Sequence, residues 1–97
     1  MQVTLEKDMQ GNPLYRVPDV NAWEDFVPFV PQLAQILKGS VIEKIDEVDI
    51  RIWEVLFDNV VIVFSIDDWE PLMIRAKEGK QHESEQMQKV IKFIRGI

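Results

Sequence analysis

Asp67, Asp68 and Glu70 flank Trp69 in the most conspicuous polar cluster of the chain. Carboxylates at this spacing could gather a hard cation such as calcium or magnesium, because those ions prefer oxygen ligands. The run lacks the alternating ligands and central glycine of an EF-hand loop, so a solvated turn is the simpler reading. Trp69 is the more informative member. In a loop its ring either tucks against the core edge or is offered to a partner, and the sequence favours the tucked position. If offered, an aromatic ring among acids is a hot spot for a basic protein surface, and its truncation costs ~2 kcal/mol of binding.

Asp46, Glu47 and Asp49 form a second acidic group, of the type used in general acid-base catalysis. Nothing in their setting predicts a buried pair with separated pKa values, so they read as turn residues. His82 is the sole histidine and cannot by itself complete a metal site. A triad would require Ser40, Ser65 or Ser84 beside it, and none of these lies in a nucleophile-elbow motif. The four glycines are scattered and make no phosphate-cradling loop. With no cysteine, disulfides, thiolate nucleophiles and thiolate metal sites are absent together. No catalytic, cofactor-binding or metal-ligating residue is therefore assigned, and the reading is non-enzymatic.

The 97 residues fit one domain spanning 1–97, and 46% apolar content suffices for a core. Net charge is −6, a sign that disfavours nucleic acid. Residues 43–70 carry −7 of it, whereas residues 71–97 carry +3. A partner steered by charge should therefore be a basic protein. The start of the chain lacks the basic and apolar regions of a signal peptide. The longest apolar run, Val60 to Phe64, is far short of the roughly 20 residues that cross a bilayer. A cytoplasmic protein that does not bind membranes is expected.

The elements that must position these groups follow from periodicity. Val3 and Leu5, then Gly11-Asn12-Pro13, then Leu14, Tyr15 and Val17 predict an N-terminal hairpin. Trp23, Phe26, Val27, Val30, Ala34 and Leu37 recur at helical spacing, and Asn21 with Glu24 resembles a capping box. Pro28 and Pro31 predict a kink, or a helix that begins near Pro28. Gly39 is a stop signal. Val41 to Ile45 is a candidate strand on which the face of Lys44 is undetermined. Met87, Val90, Ile91, Ile94 and Ile97 make the stripe of a final helix, acidic at its start and basic toward its end. The order is strand, strand, helix, four strands, helix: an α+β two-layer sandwich with a mainly antiparallel sheet and both helices on one face.

Between Ile50 and Ala76 the pattern also predicts register. A two-residue turn at Asp58-Asn59 sets Phe57 opposite Val60, Val55 opposite Ile62, Trp53 opposite Phe64 and Arg51 opposite Ile66. A loop from Asp67 to Pro71 then aligns Phe64 with Ile74. That face belongs to the core. The other holds Ile52, Leu56, Val61, Val63 and Met73 together with Ser65 and with Glu54 and Arg75, whose long side chains could meet above Val63. It is either an ordinary open face or a partner or homodimer surface.

The run Val41-Ile42-Glu43-Lys44, followed by Trp53, Phe57, the meander and a short last helix, resembles a family of short gammaproteobacterial proteins of unknown function. The resemblance spans residues 20–97 and implies a fold and a bacterial setting, without site residues. Small acidic immunity proteins, which neutralise basic nuclease toxins, are similar in size and charge. The function expected is protein interaction through the acidic loops around Trp69 or through the second sheet face, with toxin immunity as one concrete form. The alternatives are a small enzyme or ligand-binding protein with a pocket between sheet and helices, and a homodimeric structural subunit.

Overall fold

The computed structural model describes Met1–Ile97. Strands β1 (Thr4–Lys7) and β2 (Pro13–Val17) form the N-terminal hairpin, and helix α1 (Trp23–Ile36) follows. Then come β3 (Ser40–Asp46), β4 (Ile50–Phe57), β5 (Val60–Asp67), β6 (Leu72–Ala76) and helix α2 (Glu85–Arg95). The strands make one open sheet in the order β1-β2-β6-β5-β4-β3 with every neighbouring pair antiparallel. The hairpin thus extends the meander through the β2–β6 pairing, and β1 and β3 are the edges.

Register follows the period-two pattern: Phe57 faces Val60, Trp53 faces Phe64, and Phe64 faces Ile74. Strand side chains alternate faces, so this one register sends Trp53, Val55, Ile62, Phe64, Leu72 and Ile74 to the same side. There they meet Phe26, Val30, Leu33 and Ala34 of α1 and Met87, Val90, Ile91 and Ile94 of α2 in one cluster. The layer between sheet and helices is filled by these side chains.

Helix α1 begins at Trp23, not near Pro28, and runs unbroken through both prolines. The prolines remove the N–H groups that would bond the Glu24 and Val27 carbonyls. Both of those residues are exposed, so water can take up the two carbonyls. The expected capping box does not form: Ala22 is the N-cap residue and no side chain caps it. At the other end Lys38, rather than Gly39, takes the left-handed conformation, with φ of 61°. Gly39 serves close approach instead, since a Cβ built there would lie 2.6 Å from Cε1 of Phe57.

Helix α2 is capped by Ser84, whose hydroxyl accepts from the Met87 N–H at 3.1 Å. It runs from above the β4–β5 turn, where Gln86 donates to Asp58, to the β1 edge, where Arg95 donates to the Val3 carbonyl. Ile97 lies beyond its end and is exposed rather than on the buried stripe. No helix is long and apolar enough to cross a membrane.

A β-bulge between Val41 and Glu43 decides the face of Lys44. The extra residue re-phases β3, and Lys44 pairs with Trp53 on the helix side, its Nζ 4.3 Å from the Trp53 ring centre.

Candidate functional site

Trp69 is 80% exposed, which overturns the expected packing against the core edge. The reason lies in how its loop is held. Asp67 Oδ1 accepts from the backbone N–H groups of Trp69 at 2.8 Å and Glu70 at 2.6 Å. This side-chain turn stiffens the backbone just where the ring departs. From the far side Arg16, on β2, donates Nη1 to the Glu70 carboxylate and Nε to Glu6 at 2.7 Å. The loop is therefore clamped at both ends while its indole stands in solvent. Glu6 holds the Arg16 proton more tightly than usual, with Glu70 adding to the effect. In return the Arg16 hydrogen bond keeps the Glu6 carboxyl below its ordinary value against the opposing effect of desolvation, with a smaller contribution from Thr4.

The same bonds explain why Asp67, Asp68 and Glu70 do not converge as a cation site. Asp67 is committed to backbone N–H groups and Glu70 to a guanidinium, which leaves Asp68 as the carboxylate without a partner.

The second acidic group lies beside the first, because Ile50 pairs with Asp67 and brings the β3–β4 loop next to the β5–β6 loop. Val48 at its tip is 99% exposed. Asp46 is held within the fold: its Oδ1 accepts from Trp53 Nε1 at 2.7 Å and lies 3.7 Å from Arg51 Nε. Behind this loop Trp23 stacks on Phe26 and meets Trp53 edge-on, and the Arg51 guanidinium sits 4.1 Å over the Trp23 ring. A cleft of about 320 Å³ opens between the start of α1 and the two loops, lined by Trp23, Val48, Asp49, Arg51, Asp67 and Asp68 among others. One end of the molecule therefore presents Glu47, Asp49 and Asp68 with two exposed apolar tips, Val48 and Trp69.

The open face supports the second group of candidates less well. Ile52, Leu56, Val61 and Met73 are only half-buried there, but Val63 is 2% exposed and cannot contact a partner. It is flanked in register by Glu54 and Arg75. Glu54 does not meet Arg75, however; it pairs with Lys77 at 2.9 Å. Lys77 continues from β6, and its backbone N–H bonds the Val61 carbonyl.

His82 is 9% exposed and stacks on Tyr15 with ring centres 5.0 Å apart. No hydroxyl bonds it, and its Nδ1 is buried without a partner. Ser84 is occupied in capping α2. The Arg16 clamp and the Trp23–Arg51 stack are features of this end of the molecule that sequence reasoning missed. Both join residues far apart in the chain, so neither has a signal in local sequence.

No protein-family model, curated protein or solved structure matches the chain.

Proposed function

We propose that this chain is a non-enzymatic protein-interaction domain that engages a basic protein surface through its acidic end, with Trp69 as the anchor. The observation that carries the reading is a tryptophan 80% exposed on a loop fixed by Asp67 and Arg16. A large apolar side chain left in water forgoes favourable burial. Holding it rigid lowers the ordering cost of binding, which is the advantage of a preorganised recognition element. Asp49, Asp68 and Glu47 around it supply the charge that steers a basic partner and orients it. Neutralisation of a basic nuclease toxin is one concrete form of this function. The family resemblance of residues 20–97 is compatible with it and adds no site.

The test is affinity capture from the source cells with the wild-type chain and Trp69→Ala in parallel, at low and high salt, followed by titration of the captured protein. A basic partner held by the wild type at low salt should be released as ionic strength rises. Trp69→Ala should weaken it about thirtyfold, corresponding to ~2 kcal/mol. A partner retained equally by both chains would place its binding elsewhere and sink the proposal.

A further inference from the structure

The two edges of the sheet are not alike. Strand β1 is short, and beside its start the Val3 carbonyl is taken by the Arg95 side chain. Strand β3 is seven residues long, exposed at all but Val41, and no other strand pairs with its outer side. The β3–β4 ladder fixes which of its backbone groups point outward. The Glu47 N–H bonds the Ile50 carbonyl at 2.9 Å, which makes Glu47–Ile50 a hydrogen-bonded pair. Bonded and non-bonded pairs alternate along an antiparallel ladder. Ile45–Ile52 is therefore bonded, whereas Lys44–Trp53 and Asp46–Arg51 are not, and the N–H and C=O groups of Lys44 and Asp46 face away from the sheet. Backbone groups left in this way are a template for a further strand.

The side chains decide which strand fits. A lysine on an edge ordinarily repels an incoming strand, but this edge carries an aspartate two residues further on and so complements itself. Two copies paired antiparallel about a two-fold axis set one residue opposite its own copy. An axis at Lys44 opposes two ammonium groups, and one at Asp46 opposes two carboxylates. An axis at Ile45 sets Lys44 of each copy opposite Asp46 of the other, and these are the residues whose backbone groups face outward. Asp46 Oδ1 is held by Trp53 Nε1, which leaves Oδ2 for the second copy's Lys44. The same axis sets Ile45, 41% exposed, against itself on the open face and brings Ile42 toward Val48, both of them exposed. We infer that β3 pairs with β3 of a second copy in this register, joining two six-stranded sheets into one. Each Lys44–Asp46 pair exchanges two backbone hydrogen bonds. Glu43 and Glu47 come opposite each other and oppose the pairing, and the contact is short, so the dimer is weak.

Sedimentation velocity carried to about millimolar protein should show a monomer–dimer equilibrium. Lys44→Pro removes an N–H that points outward and none that bonds β4. The fold should survive by far-UV circular dichroism, while loss of a donor from each copy weakens the dimer at least about tenfold. Lys44→Asp alone and Asp46→Lys alone oppose like charges and should be monomeric, whereas their equimolar mixture restores both pairs and should form a mixed dimer. Glu47→Gln should tighten the association. Trp69→Ala should leave it unchanged, so this edge and the Trp69 surface can fail separately. A wild-type chain that stays monomeric at about millimolar concentration would overturn the inference. So would a dimer unaffected by Lys44→Pro, which would move the contact to the open sheet face, or a mixture that associates no better than its two folded components. Asp46→Lys gives up the Trp53 bond; if it does not fold, Lys44→Pro and Glu47→Gln decide the question.

Discussion

Truncating Trp69 separates a binding residue from a core residue, and the structure sets both magnitudes. A fully packed tryptophan buries at most about 250 Å². With the residue 80% exposed, roughly a fifth of that area is covered, about 50 Å², and at about 25 cal/mol/Å² its loss costs at most ~1.3 kcal/mol of stability. A buried aromatic truncated to alanine costs about 3–5 kcal/mol, and Trp53, 3% exposed and bonded to Asp46, belongs in that class. Urea unfolding followed by far-UV circular dichroism should therefore place Trp69→Ala close to wild type and Trp53→Ala far below it. Acrylamide quenching gives an independent check, since removing Trp69 should abolish the most accessible component of the fluorescence. A loss above ~2 kcal/mol in Trp69→Ala, or unchanged quenching, would refute the reasoning. The ring would then be packed, and the proposed interaction surface would lose its anchor.

Gly39→Ala places a methyl group 2.6 Å from Cε1 of Phe57 and 3.0 Å from Cγ1 of Val55; it should cost about 1–3 kcal/mol, and an unchanged urea midpoint would mean that the Phe57 ring swings aside. His82→Phe keeps the stacking on Tyr15 and removes a buried nitrogen that has no partner. Its stability should be within about 1 kcal/mol of wild type or higher, whereas a loss of more than ~2 kcal/mol would reveal a bond to the imidazole. Glu6 has a folded pKa below its ordinary 4.5, chiefly through the Arg16 hydrogen bond. Its stabilising contribution is therefore present above pH 4.5 and lost as pH falls through the lower folded value. Comparison of wild type with Glu6→Gln by thermal unfolding across that range should show a stability gap that is flat above pH 4.5 and closes below it. A gap that widens in acid contradicts the assignment.

Much of this fold follows from local pattern. The register of β4, β5 and β6 follows from alternation and from a two-residue turn, because a slip by one residue would turn Trp53, Val55 and Phe57 into solvent. Helix α2 was equally legible, since its apolar stripe and its acidic-to-basic charge order act within a few residues of each other. Where α1 begins was less legible: Pro28 and Pro31 carry a local penalty, and burial of Phe26 and Val30 outweighs it. The face of Lys44 escaped prediction because a single bulged residue inverts every assignment beyond it.

By itself the sequence determined the acidic middle of the chain and the core face of the meander. The tertiary structure alone decided the strand order, the exposure of Trp69 and the free edge of β3. The β2–β6 pairing sets the hairpin beside the meander, and with it comes the clamp of Arg16 on Glu70. Period and propensity act between residues a few positions apart. An ion pair between residues 16 and 70 has no local signature and exists only after long-range pairing has brought the two strands together.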